Sequence, residues 1–200
     1  AGVAHLRRLG VEIDPEGSHA FGGVVWEEQG FRAVGRFPHG QGLGVRRLAL
    51  SRALRTRAKV LGVALRDGTR ATGLAPGGVR TEQGVVSGRL IVGADGLHSR
   101  VRKWAGLSAG VGPRKRFGLR RHVRMAPWSD QVEVYLADGV ECYLTPAGPD
   151  QLGVAFLWSG SKERFETLLE RFPQVAQRIQ GAPQCSPDRG SGPLHQRVHS

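Results

Sequence analysis

A short apolar run that ends at an acidic residue constrains the fold of this chain more than any other feature. Residues 90–94 read Leu-Ile-Val-Gly-Ala, and Asp95 and Gly96 follow directly. A continuous apolar run of this length is typical of a strand that is covered on both faces, as in a parallel sheet. A basic segment of helical character begins near Ser99. We therefore predict a strand, a tight turn and a helix, with Asp95 at the tip of the strand.

The remaining sequence patterns divide the chain into two parts near residue 112. Before this point, segments of helical spacing alternate with short strands and Gly-containing turns. After it, apolar and polar residues alternate along several segments, which predicts an antiparallel sheet, and a segment of helical spacing predicts one covering helix. The predicted helices are 1–10 (with Gly10 as C-cap), 48–58 and 165–172. The predicted strands are 22–26, 31–37, 119–125, 132–136, 140–145 and 152–158, with a small meander between 60 and 87.

Three connecting features complete this prediction. The Gly-rich residues 40–44 are expected to form a flexible loop. Ser161 is placed to cap the helix over 165–172, because a serine hydroxyl accepts a hydrogen bond from a free backbone N–H. The Pro- and Gly-rich residues 181–192 are expected to be a connection without regular structure.

Composition limits the possible partners. The net charge is +12 with 29 basic residues, which invites a nucleic-acid interpretation. The basic residues are spread along the chain, however, and their densest patch, 114–124, lacks zinc-finger spacing or an aromatic RNA-binding motif. We interpret the charge as a solvated face, or as one that meets a phosphorylated cofactor, and expect no nucleic-acid partner.

Other sequence features bear on compartment and metal content. No run of eighteen apolar residues occurs, so we expect no membrane span. Cys142 and Cys185 are far apart and form no CxxC motif, which fits two free thiols in a reducing, cytoplasmic environment. His195 and His199 form an HxxxH pattern, but it lies beside Gly and Pro residues and we interpret it as surface. We expect no metal site.

The position of Asp95 suggests a ligand site. In open α/β sheets, ligands bind outside the carboxyl ends of the strands. A carboxylate there can accept hydrogen bonds from ribose hydroxyls, Gly96 lets the backbone approach a ligand, and the helix N-terminus near Ser99 favours phosphate. The alternative is that Asp95 only caps the following helix.

Residues 93–102, Gly-Ala-Asp-Gly-Leu-His-Ser-Arg-Val-Arg, resemble a motif of FAD-dependent monooxygenases of the aromatic-hydroxylase type. The resemblance implies that Asp95 contacts the FAD ribose and takes part in binding the NAD(P)H pyrophosphate. Gly96, Ser99 and Arg102 would lie around the cofactor, although Arg102 could equally brace the motif.

A second match lies upstream. Residues 45–50, Val-Arg-Arg-Leu-Ala-Leu, resemble the "R-x-x-L" helix start of the same family. By this resemblance Arg47 would approach the ribityl–phosphate region of FAD, where a guanidinium suits phosphate oxygens. The alternative is an ordinary solvated arginine at a helix start.

The resemblance extends over nearly the whole chain and implies its organisation. The expected fold class is α/β (α+β mixed), with part of a Rossmann-like FAD-binding domain over 1–112 joined to an antiparallel substrate-domain sheet with a covering helix over 113–180. Residues 181–200 would connect back to the FAD domain. The family's G-x-G-x-x-G turn and its later Gly-Asp motif do not occur. We therefore expect the interior of a longer enzyme, inactive and weak in FAD binding on its own.

The implied function is that of an FAD-dependent oxidoreductase. The expected activity is an NAD(P)H-driven monooxygenase that uses molecular oxygen to hydroxylate a small organic substrate through a flavin C4a-hydroperoxide. No catalytic residue is assigned, and His122, Tyr135 and Tyr143 are only possible pocket residues. The alternatives are a flavin reductase of the geranylgeranyl-reductase-like branch and a basic nucleic-acid-binding module. The oligomeric state stays open.

Overall fold

The computed structural model describes residues 2–108 and 115–194. Its helices are α1 Gly2–Arg8, α2 Arg47–Val60, α3 Arg100–Trp104, α4 Phe165–Leu169 and α5 Pro173–Arg178. Its strands are β1 Ser18–Phe21, β2 Gly23–Glu28, β3 Phe31–Arg36, β4 Gly42–Val45, β5 Ala71–Ala75, β6 Gly78–Thr81, β7 Gly84–Ser87, β8 Arg116–Arg124, β9 Gln131–Ala137, β10 Val140–Gly148, β11 Gln151–Ser159 and β12 Gln184–Leu194. Within the described ranges, no helix combines the length and apolar character needed to cross a membrane.

A seven-stranded sheet dominates the fold. Its strand order is β12-β8-β11-β10-β9-β2-β3, and every neighbouring pair is antiparallel except β2 and β9, which run parallel. Strands β5, β6 and β7 form the predicted small meander, and β1 pairs with β4. Because β2 and β3 join strands that follow residue 115, the large sheet draws on both sides of residue 112. The division into domains near residue 112 stays a prediction.

Two tight turns place the hairpins of this sheet. Gln29 and Gly30 have φ of 49° and 86°, and Asp138 and Gly139 have φ of 44° and 73°. Two successive residues with positive φ are the signature of the turn that matches the right-handed twist of paired strands. The strands predicted around both dipeptides are confirmed.

Helices α4 and α5 cover one face of the large sheet and form the core with it. Phe156 on β11 is 1% exposed, and its ring centroid lies 5.0 Å from that of Phe165 and 5.9 Å from that of Phe172. Arg121 projects to the same side, where its guanidinium lies 3.8 Å from the Phe165 centroid and bonds to Asp188. The core therefore lies between the sheet and these two helices.

The other side of the sheet is here called the open face. Because side chains alternate between the two sides of a strand, residues between the buried ones on β8, β10 and β11 project to this side. Cross-strand pairing aligns them in rows. The open face carries Arg120, His122, Tyr143, Thr145, Gln151, Gly153 and Ala155.

Strand β4 packs over one end of β10 and brings the start of α2 beside the open face. A Cβ placed on Gly44 would lie 1.9 Å from the Pro146 carbonyl oxygen, so only glycine allows this approach. The Arg46 side chain then donates a hydrogen bond to Gln151 Oε1 over 3.0 Å. The predicted helix at 48–58 is confirmed as α2, and the predicted loop over 40–44 is in part strand β4.

The strand predicted over residues 90–94 is wrong. These residues form no strand, and Leu90 and Val92 are 82% and 75% exposed. Among the described residues, no neighbouring strand offers its backbone to this segment. An apolar run indicates that its side chains favour burial, but a strand also needs a neighbouring strand to pair with, and the run itself does not determine whether one is present.

Two further predictions are corrected. Residues 184–194 form β12, the edge strand beside β8, where the region was expected to be a connection. Ser161 does not cap α4, because the helix begins at Phe165 and Arg164 occupies the capping position without a side-chain bond. The Ser161 carbonyl instead accepts a hydrogen bond from Trp158 Nε1 over 2.7 Å.

Candidate functional site

The turn around Asp95 is held together by its own side chains. The Asp95 carboxylate accepts hydrogen bonds from the backbone N–H groups of Arg100, over 2.7 Å, and Val101, over 3.1 Å, and also from the Ser99 hydroxyl. The Ser99 hydroxyl oxygen in turn accepts from the Arg102 N–H over 2.9 Å. Together these bonds satisfy the free N–H groups at the start of α3. Ser99 is the N-cap residue, and Asp95 also acts as a cap in this structure because it accepts from the first two N–H groups of the helix.

The remaining motif residues support the same turn. The Arg102 guanidinium donates to the Leu97 carbonyl oxygen over 2.9 Å, which braces the turn. Gly96 has φ of 83°, a left-handed conformation that glycine adopts without strain. The bonds from Ser99 and from the Val101 and Arg100 N–H groups hold the pKa of Asp95 down at about 2. The carboxylate is therefore ionised across the physiological range.

The Asp95 turn lies beside a cavity at the end of the large sheet. The cavity has a volume of about 440 Å³. Leu97 and His98, the two residues after Gly96, contribute to its lining, as do Phe117, Trp158 and residues 190–192. The geometry of the turn thus places the motif next to space that a small molecule could occupy.

Arg47 belongs to a different element from the Asp95 turn. It is the first residue of α2, and its side chain is exposed. Within the described ranges, no hydrogen bond or ion pair joins Arg47 to Asp95, Ser99 or any other residue of the motif. The structure therefore brings Asp95, Gly96, Ser99 and Arg102 together in one turn, and no bond between described residues links Arg47 to that turn.

Four arginines come together beside the open face, a grouping that was not predicted from the sequence. Arg120 and Arg189 are directly paired between β8 and β12, and Arg46 and Arg47 precede and begin α2. Burial lowers the pKa of Arg120, and the positive charges of Arg46, Arg189 and Arg47 lower it further. The alternation of Arg120, His122 and Arg124 in the sequence was the available signal, but the contribution of α2 and β12 depends on the fold.

His122 lies next to Arg120 on the open face and is 9% exposed. The distance from Arg120 Nη1 to His122 Nδ1 is 3.0 Å, and Ser186 Oγ is also 3.0 Å from Nδ1. Burial, then the charges of Arg120 and Arg46, lowers the pKa of His122 to about 4. The imidazole is therefore neutral at pH 7.

This lowered pKa predicts a pH-dependent stability. Between about pH 6.5 and pH 4, His122 binds a proton in the unfolded chain but not in the folded one. The free energy of unfolding should therefore fall as the pH is lowered through this window, by at most about 1.4 kcal/mol per pH unit from this residue. Urea denaturation at a series of pH values measures the slope. A His122→Gln variant should show a shallower slope, and equal slopes in the two proteins would contradict the assignment.

Comparison with known proteins identifies the fold. No family model matches the chain. Over 114 residues, the chain is 36% identical to the dialkyldecalin synthase of Streptomyces rugosporus, a match that covers 52% of this chain and 24% of the synthase.

Solved structures match over almost the whole chain. A flavoprotein/dehydrogenase from Cytophaga hutchinsonii has a TM-score of 0.71 at 14% identity, over 96% of this chain and 53% of that one. The flavin-dependent halogenase CmlS has a TM-score of 0.75 at 16% identity, over 94% and 40%. A variant of 2-methyl-3-hydroxypyridine-5-carboxylic acid oxygenase has a TM-score of 0.62 at 21% identity, over 96% and 57%. The predicted fold class is confirmed, and the chain spans about half the length of these structures.

Proposed function

We propose that this chain, which has the mixed α/β fold of flavin-dependent oxygenases and halogenases, is part of an FAD-dependent oxidoreductase. In the proposed reaction, the whole protein uses NAD(P)H to reduce FAD and molecular oxygen to hydroxylate a small organic substrate. The observation that carries the proposal is the fold shared with flavin-dependent enzymes over 94–96% of this chain. The motif over residues 93–102 supports it independently.

The polar groups of the chain fit a cofactor that carries phosphates and hydroxyls: Arg47 is a donor for phosphate and Asp95 an acceptor for a hydroxyl. Arg47 is exposed at the start of a fourteen-residue helix and has no acidic partner within the described ranges, so its guanidinium is available to phosphate. The Asp95 carboxylate has about four lone-pair sites. Three of them accept the bonds from Ser99, Arg100 and Val101, which leaves one for a ribose hydroxyl.

In this proposal, the cofactor and the residues of the chain have separate roles. FAD would supply the electron transfer and the reactivity toward oxygen. Arg47 would hold the phosphate region and Asp95 the ribose, while Gly96 admits the cofactor close to the backbone. Ser99 and Arg102 would keep the Asp95 turn in shape, and the open face of the large sheet would orient the substrate. No side chain is assigned a proton-transfer role.

Replacement of Asp95 tests the cofactor role. If the carboxylate holds a ribose hydroxyl, Asp95→Ala in the whole protein should weaken flavin retention by about ten- to a hundredfold, because a hydrogen bond to a charged group contributes about 1.5–3 kcal/mol. The loss of the cap should lower stability by about 1 kcal/mol as well. The measurement is flavin content per protein, read beside the thermal midpoint.

Asp95→Asn is the matched control. Asparagine is also a good cap, so the thermal midpoint should stay close to that of the wild type. A ribose contact that needs the carboxylate charge should still be weakened. Unchanged flavin content in both variants, with stability lost only in Asp95→Ala, would reduce Asp95 to a helix cap.

Oxygen consumption separates the proposed function from its competitors. A monooxygenase couples oxygen uptake and NAD(P)H oxidation to product hydroxylation, whereas a reductase of the geranylgeranyl type does not incorporate oxygen.

A second candidate is a synthase of a dialkyldecalin-type product, which the 36% identity to the Streptomyces rugosporus enzyme favours. A purified whole protein without flavin, which binds RNA with a steep salt dependence, would instead support the basic binding module.

A further inference from the structure

The open face of the large sheet carries a concentration of positive charge that the chain itself does not neutralise. Arg120 is partly buried there and is close enough to Arg46, Arg47 and Arg189 for their charges to act on it. All 17 acidic residues of the chain lie in the described ranges, and none of them forms an ion pair with these four arginines. Other arginines of the chain, such as Arg116, Arg121 and Arg178, do have carboxylate partners.

The strand register places the group on one surface. Arg120 pairs with Ala155 on β11 and with Arg189 on β12, and His122 pairs with Gly153. Paired residues of neighbouring strands project to the same side of a sheet. Ala155 and Gly153 are small, so the sheet surface beside Arg120 and His122 has no bulky side chains at these two positions. This part of the surface is here called the floor.

Arg46 reaches the same surface from the other side. Its guanidinium donates to Gln151, which lies two residues before Gly153 and hence on the same face of β11. The bond fixes Arg46 across the floor from β8, whereas it leaves other N–H groups of the guanidinium unused. Positive groups thus border the floor from β8 and from the segment before α2.

The hydrogen bond between Arg120 and His122 determines which donor His122 presents. A guanidinium has only donors, so the Nδ1 atom that lies 3.0 Å from Arg120 Nη1 must be the acceptor. The proton of the neutral ring is then on Nε2. His122 therefore adds an N–H donor to the arginine group without adding a positive charge.

From this geometry we propose that the open face contains a binding site for a carboxylate or phosphate group, formed by Arg120, Arg46 and the Nε2–H of His122, with Arg189 at its rim. An oxyanion would neutralise the clustered guanidinium groups and accept their hydrogen bonds, which are strong when both partners are charged. The identity of the occupant rests on the proposed function: the anion is either the acidic group of the organic substrate or the diphosphate of the cofactor. The existence of the site does not depend on that function.

The test is calorimetric titration of inorganic phosphate, and separately of benzoate, into the purified whole protein at low salt. Arg120→Gln removes the charge while keeping a donor toward His122, so the histidine stays in place. Affinity for the anions should fall about ten- to a hundredfold in this variant, and Arg120→Lys should recover part of it. Arg32→Gln is the control: it also removes one positive charge, but on the exposed outer strand β3, and this variant should bind the anions as the wild type does.

The same titrations identify the source of the anion. Binding to both the flavin-loaded and the flavin-free protein assigns the site to an acidic substrate, and binding to the flavin-free form alone assigns it to the cofactor diphosphate. Either result supports the site, provided that Arg120→Gln lowers the affinity for the anion. Equal affinities in wild type and Arg120→Gln, or no measurable binding of either anion to either form, would overturn it. If the anion site is overturned in this way but the protein still binds flavin, the proposed function is not contradicted.

Discussion

Phe156→Ala is expected to lower the free energy of unfolding by about 3–5 kcal/mol, the usual loss when a large buried aromatic side chain is truncated. Phe156 is 1% exposed at the centre of β11, and its ring contacts Phe165 on α4 and Phe172 at the start of α5. Its removal would leave a cavity between the large sheet and both covering helices. Chemical denaturation followed by circular dichroism measures the change.

Phe31→Ala provides the matched control, because Phe31 is 82% exposed on the outer strand β3. Its truncation should change the free energy of unfolding by no more than about 0.5 kcal/mol. Similar losses in the two variants would show that α4 and α5 do not pack on the sheet as described.

Gly44→Ala is expected to destabilise the chain by about 1–3 kcal/mol and to weaken anion binding at the open face as well. The added methyl group would lie 1.9 Å from the Pro146 carbonyl oxygen, so β4 must move away from β10. Arg46 and Arg47 follow two and three residues later and would move with the strand. Thermal unfolding and phosphate titration, performed on the same preparation, measure the two effects.

Gly73→Ala is the control for this change. Gly73 also lies in a strand, β5, but a Cβ there would have no atom within 4 Å. Alanine should leave stability unchanged or raise it by up to about 1 kcal/mol, because it restricts the unfolded chain. A Gly44→Ala protein as stable as Gly73→Ala would contradict the close packing of β4 on β10.

The features predicted correctly from the sequence are those that are determined locally. Gln29-Gly30 and Asp138-Gly139 define their turns by the backbone conformations that these residues adopt, so the flanking hairpins could be predicted. The Asp95 turn is likewise local: its bonds join residues no more than six positions apart. Its residues were therefore identified together, although their hydrogen bonds show a cap and the cofactor role stays a prediction.

The errors arose where distant partners decide the structure. Residues 90–94 have the composition of a buried strand but no neighbouring strand within the described part of the chain. Residues 184–194 contain Pro187 and Pro193, yet they pair with β8, because an edge strand needs hydrogen bonds on one side only. The arginine group at the open face was missed for the same reason, since its members come from three separate segments of the chain.

The parallel pairing of β2 with β9 has a consequence for how the chain reaches its native state. The paired residues Gly23 and Gln131 are more than a hundred positions apart, and the segment between them contains α2, the small meander and the Asp95 turn. Closing so long a loop is entropically unfavourable until many contacts form at once, and such topologies fold slowly. During synthesis, the β2–β3 hairpin leaves the ribosome long before β9 exists. Until then the β2 edge that pairs with β9 is unpaired, so chaperones and other chains can bind to this hairpin.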